Sequence, residues 1–587
     1  MTASTAFSAE ESAREDHYRS QGWWPGVRLE TRFAEHVAAG PDVPSVTDDH
    51  GRSLTRSELW QRARSLADDL SRQGVRPRQA VLIYLPNCVE WQVALLACLQ
   101  LRAIPATLPI NTDPQTLAYI CQHVGARAVV ATATHRGRAT GEFASQAGAS
   151  SAYAVAVGVF DPAGAVEWVA QAPGNEAPIH PDHLEHLMFT SSTTGLPKAV
   201  MHTIDTLAAV NITFAERYAL SADTPIFMPS PLGHSVGAWH GGRLSLFLGA
   251  HLVLQDLWDP EAALASIDRH SCRFTAAATP FLKDLLDAPW LAGTPKMGSL
   301  TSFLCGGAPV PASLIEEAAR QAPDTFVTVL WGMTEGGVTT CPPGTPAETV
   351  AHSAGYPLPG LELTVLPAEG VTGDVGELAM RGPGVFIGYL GQDEMYRELL
   401  TEDGYFRTGD LARLDDEGFL RLSGRIKDLI IRGGVNISPI PIEDAISAHP
   451  GVRRVAVIGQ ADERLGERIC AVVVPMNESI DLESLQEWLL ERGLSRRHLP
   501  ECLVLVDDVP GEVVIGGMVI VGRQEHLLEV VGALGAAGRL AGRLHGGQEQ
   551  RDQDGDDRDH HQQLDQRERT SNHGQVPRRL GDVMDDR

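Results

Sequence analysis

The chain has 587 residues, 43% hydrophobic and 21% charged, with a formal net charge of -27. That length exceeds a single hydrophobic core, so two or three domains of ordinary globular composition are expected. The acidic balance argues against nucleic acid and anionic membrane surfaces, which are held by Lys and Arg, but not against a small anion needing only a nest of amides and one or two cations.

The N-terminus, MTASTAFSAEESARED, carries acidic residues and no apolar core of a signal peptide. No apolar run is long enough to cross a bilayer, so a soluble, cytoplasmic protein is expected. The 8 cysteines (Cys88, Cys98, Cys121, Cys272, Cys305, Cys341, Cys470 and Cys502) form no C-x-x-C pair. Reduced, buried thiols are expected in place of zinc ligands or disulfides.

From Leu54 the spacing predicts an amphipathic helix with Leu59, Ala63, Leu66 and Leu70 on one face. AVLIYLP follows as a buried strand, WQVALLACLQLRAI and TLAYICQHVGA as helices, and RAVVAT as a strand. The same rhythm recurs through 207–220, IFMPSPL, HLVLQ, PEAALASIDRHSC and FTAAATP. Such alternation predicts layered α/β sheets. From Val365 the texture changes to short strands with Gly-rich turns, a β-rich subdomain. After Gly424 a small α+β unit begins. The expected domains are therefore 1–423, 424–510 joined by a hinge, and an aberrant, disordered tail at 511–587 whose QEQRDQDGDDRDHH section has almost nothing to bury.

The densest chemical signal is MFTSSTTGLPKAVMHT, Met188 to Thr203. An apolar strand runs into Thr190, Ser191, Ser192, Thr193, Thr194 and Gly195, then Lys198. Hydroxyls and free amides packed this closely can donate to phosphate oxygens, and Lys198 adds a cation. The glycine spacing differs from that of a P-loop.

These residues closely resemble the phosphate loop of the adenylate-forming superfamily: acyl-CoA and aryl-CoA synthetases, peptide-synthetase adenylation domains and luciferases. Ser192 stands where that family usually has Gly. The resemblance extends in order along the chain. Gly306-Gly307-Ala308-Pro309 matches the adenine-edge turn. Trp331-Gly332-Met333-Thr334-Glu335 matches the motif in which the aromatic stacks on adenine, Thr334 holds the α-phosphate and Glu335 ligates Mg²⁺. Alone, that pentapeptide reads more readily as a buried aromatic beside an exposed acid. Tyr405 to Asp410 matches the ribose motif, with Asp410 accepting from the sugar hydroxyls. Arg425 would lie near the ribose and Lys427 would be the hinge pivot; taken singly, these are a β-turn and a surface ion pair. The stretch with Gly433, Gly434, Asn436 and Glu443 resembles the wall of the thiol tunnel. The resemblance thus implies ATP, Mg²⁺ and coenzyme A, with catalytic roles for Thr334, Glu335 and Lys198.

His234 in SPLGHSVGAWHG matches the wall of the acid pocket, where Ser235, Gly237, Trp239 and Gly332 would join it. Ser235 replaces the Asn that dihydroxybenzoate enzymes usually carry. Together with DHYRSQGWW and ATPFLKDLLDAP, this looks most like cyclohexanecarboxylate and medium-chain acyl-CoA ligases. One family feature is missing. A Pro-x-x-x-x-Gly-Lys segment should follow LVLVDDVP, but the last lysine in the chain is Lys427. The change of texture at Gly511 reads as a shift of reading frame near residue 510. Three functions remain open: an acyl-CoA ligase, an enzyme loading a separate carrier protein, and a nucleotide-binding relic.

Overall fold

The computed structural model describes residues 9–169, 174–190, 196–289, 296–307, 310–369, 371, 373–462, 464–476, 480–506, 512–515 and 518–521. Among them, two large sheets frame the first domain. One has seven strands ordered Val166–Val169, Ala156–Phe160, Ala128–Thr132, Ala80–Tyr84, Ile104–Thr107, Leu184–Thr190 and Lys198–Thr203. Its inner neighbours are parallel, and the two pairs at its edges are antiparallel. The other has nine strands and ends in Ser302–Gly306, Phe326–Met333, Gly336–Thr340 and Tyr356–Pro357.

Helices fill the space between the sheets because their sequences leave no polar face or only one. Helix Arg56–Arg72 starts at a capping box of Thr55 and Glu58 and buries Leu59, Ala63, Leu66 and Leu70, as its spacing predicts. Helix Val89–Leu101 is buried on every side from Val89 to Leu99; of its buried polar side chains, Glu90 is partnered by Arg52 and Gln92 by the Gly242 carbonyl. The largest apolar cluster draws on both sheets: Val81 and Ile83 from one, Ile226, Met228 and Leu304 from the other. Fully burying a Leu or Ile side chain contributes about 1.5–3 kcal/mol, so this shared core holds the two sheets at a fixed spacing.

The β-rich subdomain is an antiparallel sheet of Glu362–Leu366, Gly376–Arg381, Phe406–Leu414 and Leu420–Arg425. Its last strand continues to Arg425, past the expected boundary at residue 423, before the one-turn helix Ile426–Asp428. Beyond lies the small α+β unit. Strand Gly466–Pro475 pairs with Val452–Asp462, Cys502–Leu505 and Ile430–Arg432, and the last of these pairs with Val435–Ile437. Isoleucines and leucines on both helices of this unit, including Ile442, Ile446, Leu485 and Leu489, make its separate core.

The stretch after Gly511 differs from expectation at its start. Glu512–Ile515 and Met518–Val521 form an antiparallel hairpin. Two β-branched tetrapeptides separated by Gly-Gly carry a local hairpin signal that a compositional reading of the tail overlooks. Residues 522–587 lie outside the described residues, as does the expectation of disorder there.

Candidate active site

Strand Leu184–Thr190 and strand Lys198–Thr203 form a hairpin stem closed by the pair Thr190 and Lys198. The hydroxyl-rich turn at its tip, Ser191, Ser192, Thr193, Thr194 and Gly195, lies outside the described residues. Nζ of Lys198 stands 4.4 Å from the centroid of the Tyr389 ring. The Tyr389 hydroxyl in turn donates to Oε1 of Glu335 at 2.7 Å. Thr190 and Glu335, 145 residues apart by their numbers, are thereby joined through two side chains.

Glu335 and Thr334 form the turn of the hairpin Phe326–Met333/Gly336–Thr340. Gly336 has φ +101°, and a Cβ there would meet the Gly384 carbonyl at 2.3 Å. Only glycine lets the turn press so closely on this segment, where Phe386 N donates to Glu335 O at 2.8 Å. The Glu335 side chain is buried, and burial raises its pKa against the opposing effects of the Tyr389 hydrogen bond and the charges of Lys198 and Arg425.

Thr334 is held from both sides. Its carbonyl accepts from Nε2 of His202 at 2.8 Å, and its hydroxyl stands 3.5 Å from Oγ of Ser235. His202 is buried, and desolvation lowers its pKa to about 4, so the ring is neutral at pH 7. The carbonyl fixes the Nε2–H tautomer and leaves Nδ1 facing Thr206 Oγ1 at 3.2 Å.

Gly306 ends its strand, and Gly307 follows in the left-handed region at φ +87°. Ala308 and Pro309 lie outside the described residues. Nε1 of Trp331 donates to Oδ2 of Asp410 at 2.8 Å, and Nε of Arg425 donates to Oδ1 at 2.9 Å. Trp331 is placed differently from an exposed stacking platform. It is 7% exposed and packs with Val200, Leu378, Met380 and Tyr389. The two-residue period of the strand sends Leu330 and Gly332 to the cleft and Trp331 to the opposite face.

The cleft spans about 440 Å³ when the open solvent at its mouth is included. Of the expected acid-pocket residues, Ser235, Trp239 and Gly332 line it, together with Gly307 and Met333. His234 and Gly237 do not line it. A Cβ on Gly237 would lie 2.3 Å from the Pro231 carbonyl, so that residue faces the preceding turn. His234 occupies the extended position before helix Ser235–Gly237, and burial lowers its pKa to about 4. The residues that take their place are His202, Leu207, Val210, His240 and Val338. A π-helical turn, Ala238–Arg243, brings Trp239 and His240 to the wall. Gly241 and Gly242 permit it: a Cβ on either would meet Met228 at 2.7 Å or the Trp91 ring at 2.5 Å. His240 stacks on Phe214 with ring centroids 4.4 Å apart.

The hinge and thiol-wall residues are not gathered into this cleft. Lys427 is exposed on the turn Ile426–Asp428. Gly433 and Gly434, at φ +59° and +78°, form the exposed tip of the small-domain hairpin. Asn436 Nδ2 donates to the Glu369 carbonyl at 3.4 Å, tying that hairpin to the β-rich subdomain. Glu443 is half-buried on helix Ile440–Ser447 and accepts from Val457 N at 2.7 Å.

Residues 33–390 match the model of the AMP-binding enzyme family, and residues 441–521 match the AMP-binding enzyme C-terminal domain. The chain belongs to this adenylate-forming family. The C-terminal-domain match continues beyond Gly511, through the Glu512–Val521 hairpin. Among AMP-binding relatives, a medium-chain fatty-acid–CoA ligase of Escherichia coli is 32% identical over 509 residues, 84% of this chain and 89% of that protein. A salicyl-AMP ligase/salicyl-S-ArCP synthetase of Mycobacterium tuberculosis is 32% identical over 515 residues, 84% of this chain and 90% of that protein. Among solved AMP-binding structures, ATP-bound MatB from Rhodopseudomonas palustris shares 27% identity at a TM-score of 0.70, covering 82% of this chain and 96% of that one. Lys198, Thr334 and Glu335 lie within the matched residues 33–390, and Asp410 lies between the two matches. Tyr389 and His202, which hold Glu335 and Thr334 in place, are found from the geometry.

Proposed function

We propose that this AMP-binding enzyme activates an apolar carboxylic acid, alicyclic or medium-chain, as an acyl-adenylate and passes the acyl group to the thiol of coenzyme A. The observation that carries this reading is the contact path from Thr190 through Lys198 and Tyr389 to Glu335, which opens beside a cleft walled by Leu207, Val210, Trp239 and Val338. A phosphate cradle and a carboxylate pocket that share one rim suit attack of an acid on the α-phosphorus of ATP.

Two anions must meet in that step, so the protein's contribution is alignment and charge neutralisation. Lys198 and the turn at Thr190 would take the β- and γ-phosphates, and the Thr334 hydroxyl the α-phosphate. Asp410, held by Trp331 and Arg425, would accept from the ribose hydroxyls. Gly306, Gly307 and Gly332 would leave room for adenine over the strand ends. Neutral His202 would keep Thr334 in register through its carbonyl.

The donor set fits a divalent cation. Among the described residues no group of three or more His, Cys, Asp or Glu side chains could hold a metal. Mg²⁺ would therefore rest on the buried Glu335 carboxylate, with phosphate oxygens and water completing its shell. When bound, it would neutralise charge on the phosphates.

The small unit beyond Gly424 would swing about Lys427 to bring Gly433, Gly434 and Asn436 over the thiol. Transfer to a carrier protein is the alternative acceptor reaction, favoured by the likeness to the salicyl-S-ArCP synthetase. With no lysine after Lys427, the adenylation half-reaction is expected to be slow, and transfer from a supplied acyl-adenylate to proceed. ATP–pyrophosphate exchange across a panel of acids tests the proposal. Exchange that depends on an alicyclic or medium-chain acid supports it, and absence of exchange with every acid together with no thiol transfer from a supplied acyl-adenylate leaves the nucleotide-binding relic.

A further inference from the structure

Tyr389 belongs to none of the motifs read from the sequence, yet it touches two of their elements at once, the Glu335 turn and the strand that begins at Lys198. Its hydroxyl donates to Oε1 of the buried Glu335 at 2.7 Å. Its ring lies under Nζ of Lys198 at 4.4 Å, within the range of a cation–π contact. Its main chain is stitched to the strand that leaves the hydroxyl-rich turn: Leu390 N donates to Ala199 O at 2.9 Å, Met201 N to Gly388 O at 3.0 Å and Ile387 N to Met201 O at 3.0 Å.

The neighbouring residues fix this placement. Phe386 N donates to the Glu335 carbonyl at 2.8 Å, so the backbone of Glu335 is held by the same short segment that holds its side chain. Gly388 has φ +126°, which turns the chain between these contacts, and a Cβ there would come within 3.1 Å of the Tyr396 ring. The Tyr389 ring is wedged edge-to-face against Phe386, with centroids 4.9 Å apart, and the residue is 2% exposed. The phenol therefore has one orientation, and through it Glu335 has one orientation.

We propose that Tyr389 is a positioning residue for the metal-bearing carboxylate: it occupies Oε1, presents Oε2 towards the phosphates, and makes that presentation depend on the stem that carries Lys198. This inference rests on the reading of Glu335 as the Mg²⁺ carboxylate. Without the phenol, the buried carboxylate loses its neutral donor and is free to turn towards Lys198, the cation nearest the phosphate loop. The cost falls on metal-dependent binding and not on the adenosine site around Asp410. The hydroxyl takes no part in bond making or breaking.

The test uses the full chain and a non-hydrolysable α,β-methylene analogue of ATP, with binding read by calorimetry at increasing Mg²⁺. Tyr389→Phe is expected to raise the Mg²⁺ concentration for half-maximal analogue binding about tenfold, the effect of roughly one lost hydrogen bond to a charged group. Its binding of AMP without metal is expected to stay within about twofold of the parent. Glu335→Gln in the same titration separates the two levels of the argument. Should Glu335→Gln leave the Mg²⁺ dependence unchanged, the reading of Glu335 fails and this inference with it. Should Glu335→Gln abolish that dependence while Tyr389→Phe leaves it unchanged, only the role of Tyr389 is overturned. Loss of metal-free AMP binding in Tyr389→Phe would also overturn it, by making the tyrosine a general support of the fold.

Discussion

The indole N–H of Trp331 donates to Oδ2 of Asp410 at 2.8 Å, locking the end of a strand in the nine-stranded sheet to the β-rich subdomain. Arg425 holds the other carboxylate oxygen at 2.9 Å. The aspartate is 6% exposed, so both oxygens have exchanged most of their water for fixed donors. Replacing Trp331 by Phe keeps the packing with Leu378 and Met380 but removes one donor. The variant is expected to lose about 1–3 kcal/mol of unfolding free energy and to bind AMP about tenfold more weakly. Denaturant unfolding and calorimetry check the two effects separately.

Acid will destabilise this fold through its buried histidines. His202, His234 and His240 have pKa values lowered to about 4, chiefly by burial. An unfolded histidine titrates near 6.5, so between about pH 6.5 and 4 the unfolded chain binds more protons and stability falls as pH falls. Stability from this source is complete above pH 6.5. Each such histidine withdraws about 2 kcal/mol between pH 7 and 5 on this reckoning. His240 stacks on Phe214 and donates to no charged partner, so His240→Phe should retain more of its neutral-pH stability at pH 5 than the parent does. Urea midpoints of both proteins at pH 7, 6 and 5 measure the difference.

The size of the acid is expected to be set by Val210 and Val338, which line the cleft from helix Ile204–Tyr218 and strand Gly336–Thr340. Val210→Phe adds a ring to that space. Binding of a non-hydrolysable cyclohexanecarboxyl-adenylate analogue should weaken at least about tenfold, while AMP affinity stays unchanged. Equal losses for both ligands would place the acyl group elsewhere.

The missing lysine makes a gain-of-function prediction. Grafting a Pro-x-x-x-x-Gly-Lys segment after Val506 should raise ATP–pyrophosphate exchange about 100-fold or more, since one charge-stabilising donor at a transition state is worth that much. Thiol transfer from a supplied acyl-adenylate should change little. Resequencing the DNA around residue 510 checks the frame independently; one uninterrupted frame with no lysine in an alternative frame would end the frameshift idea.

The layered α/β architecture was legible because its signals are local. Leu59, Ala63, Leu66 and Leu70 repeat at helical spacing, and Ala80–Tyr84 is an unbroken apolar run. Lys198, Thr334, Glu335 and Asp410 were legible because they stand inside motifs. What escaped depends on contacts between distant segments. The phenol of Tyr389 meets Glu335 only after the chain has crossed between sheets, and nothing beside it in sequence marks it. His202 sat inside the phosphate-loop stretch, but its partner, the Thr334 carbonyl, carries no side-chain signal. His234 and Gly237 were assigned to the pocket wall by resemblance, which carries no sign of the π-helical turn that brings His240 there. Strand alternation, which no motif reveals, turns the Trp331 ring away from the acid cleft and towards Asp410.

The most direct test of the site is a crystal structure of the full chain with Mn²⁺ and the α,β-methylene analogue of ATP, phased at the manganese edge. The account predicts an anomalous peak in bonding distance of Glu335 and of a phosphate oxygen, with the phosphates lying between the turn after Thr190 and Lys198. A peak remote from Glu335, or phosphates bound away from that turn, would contradict it.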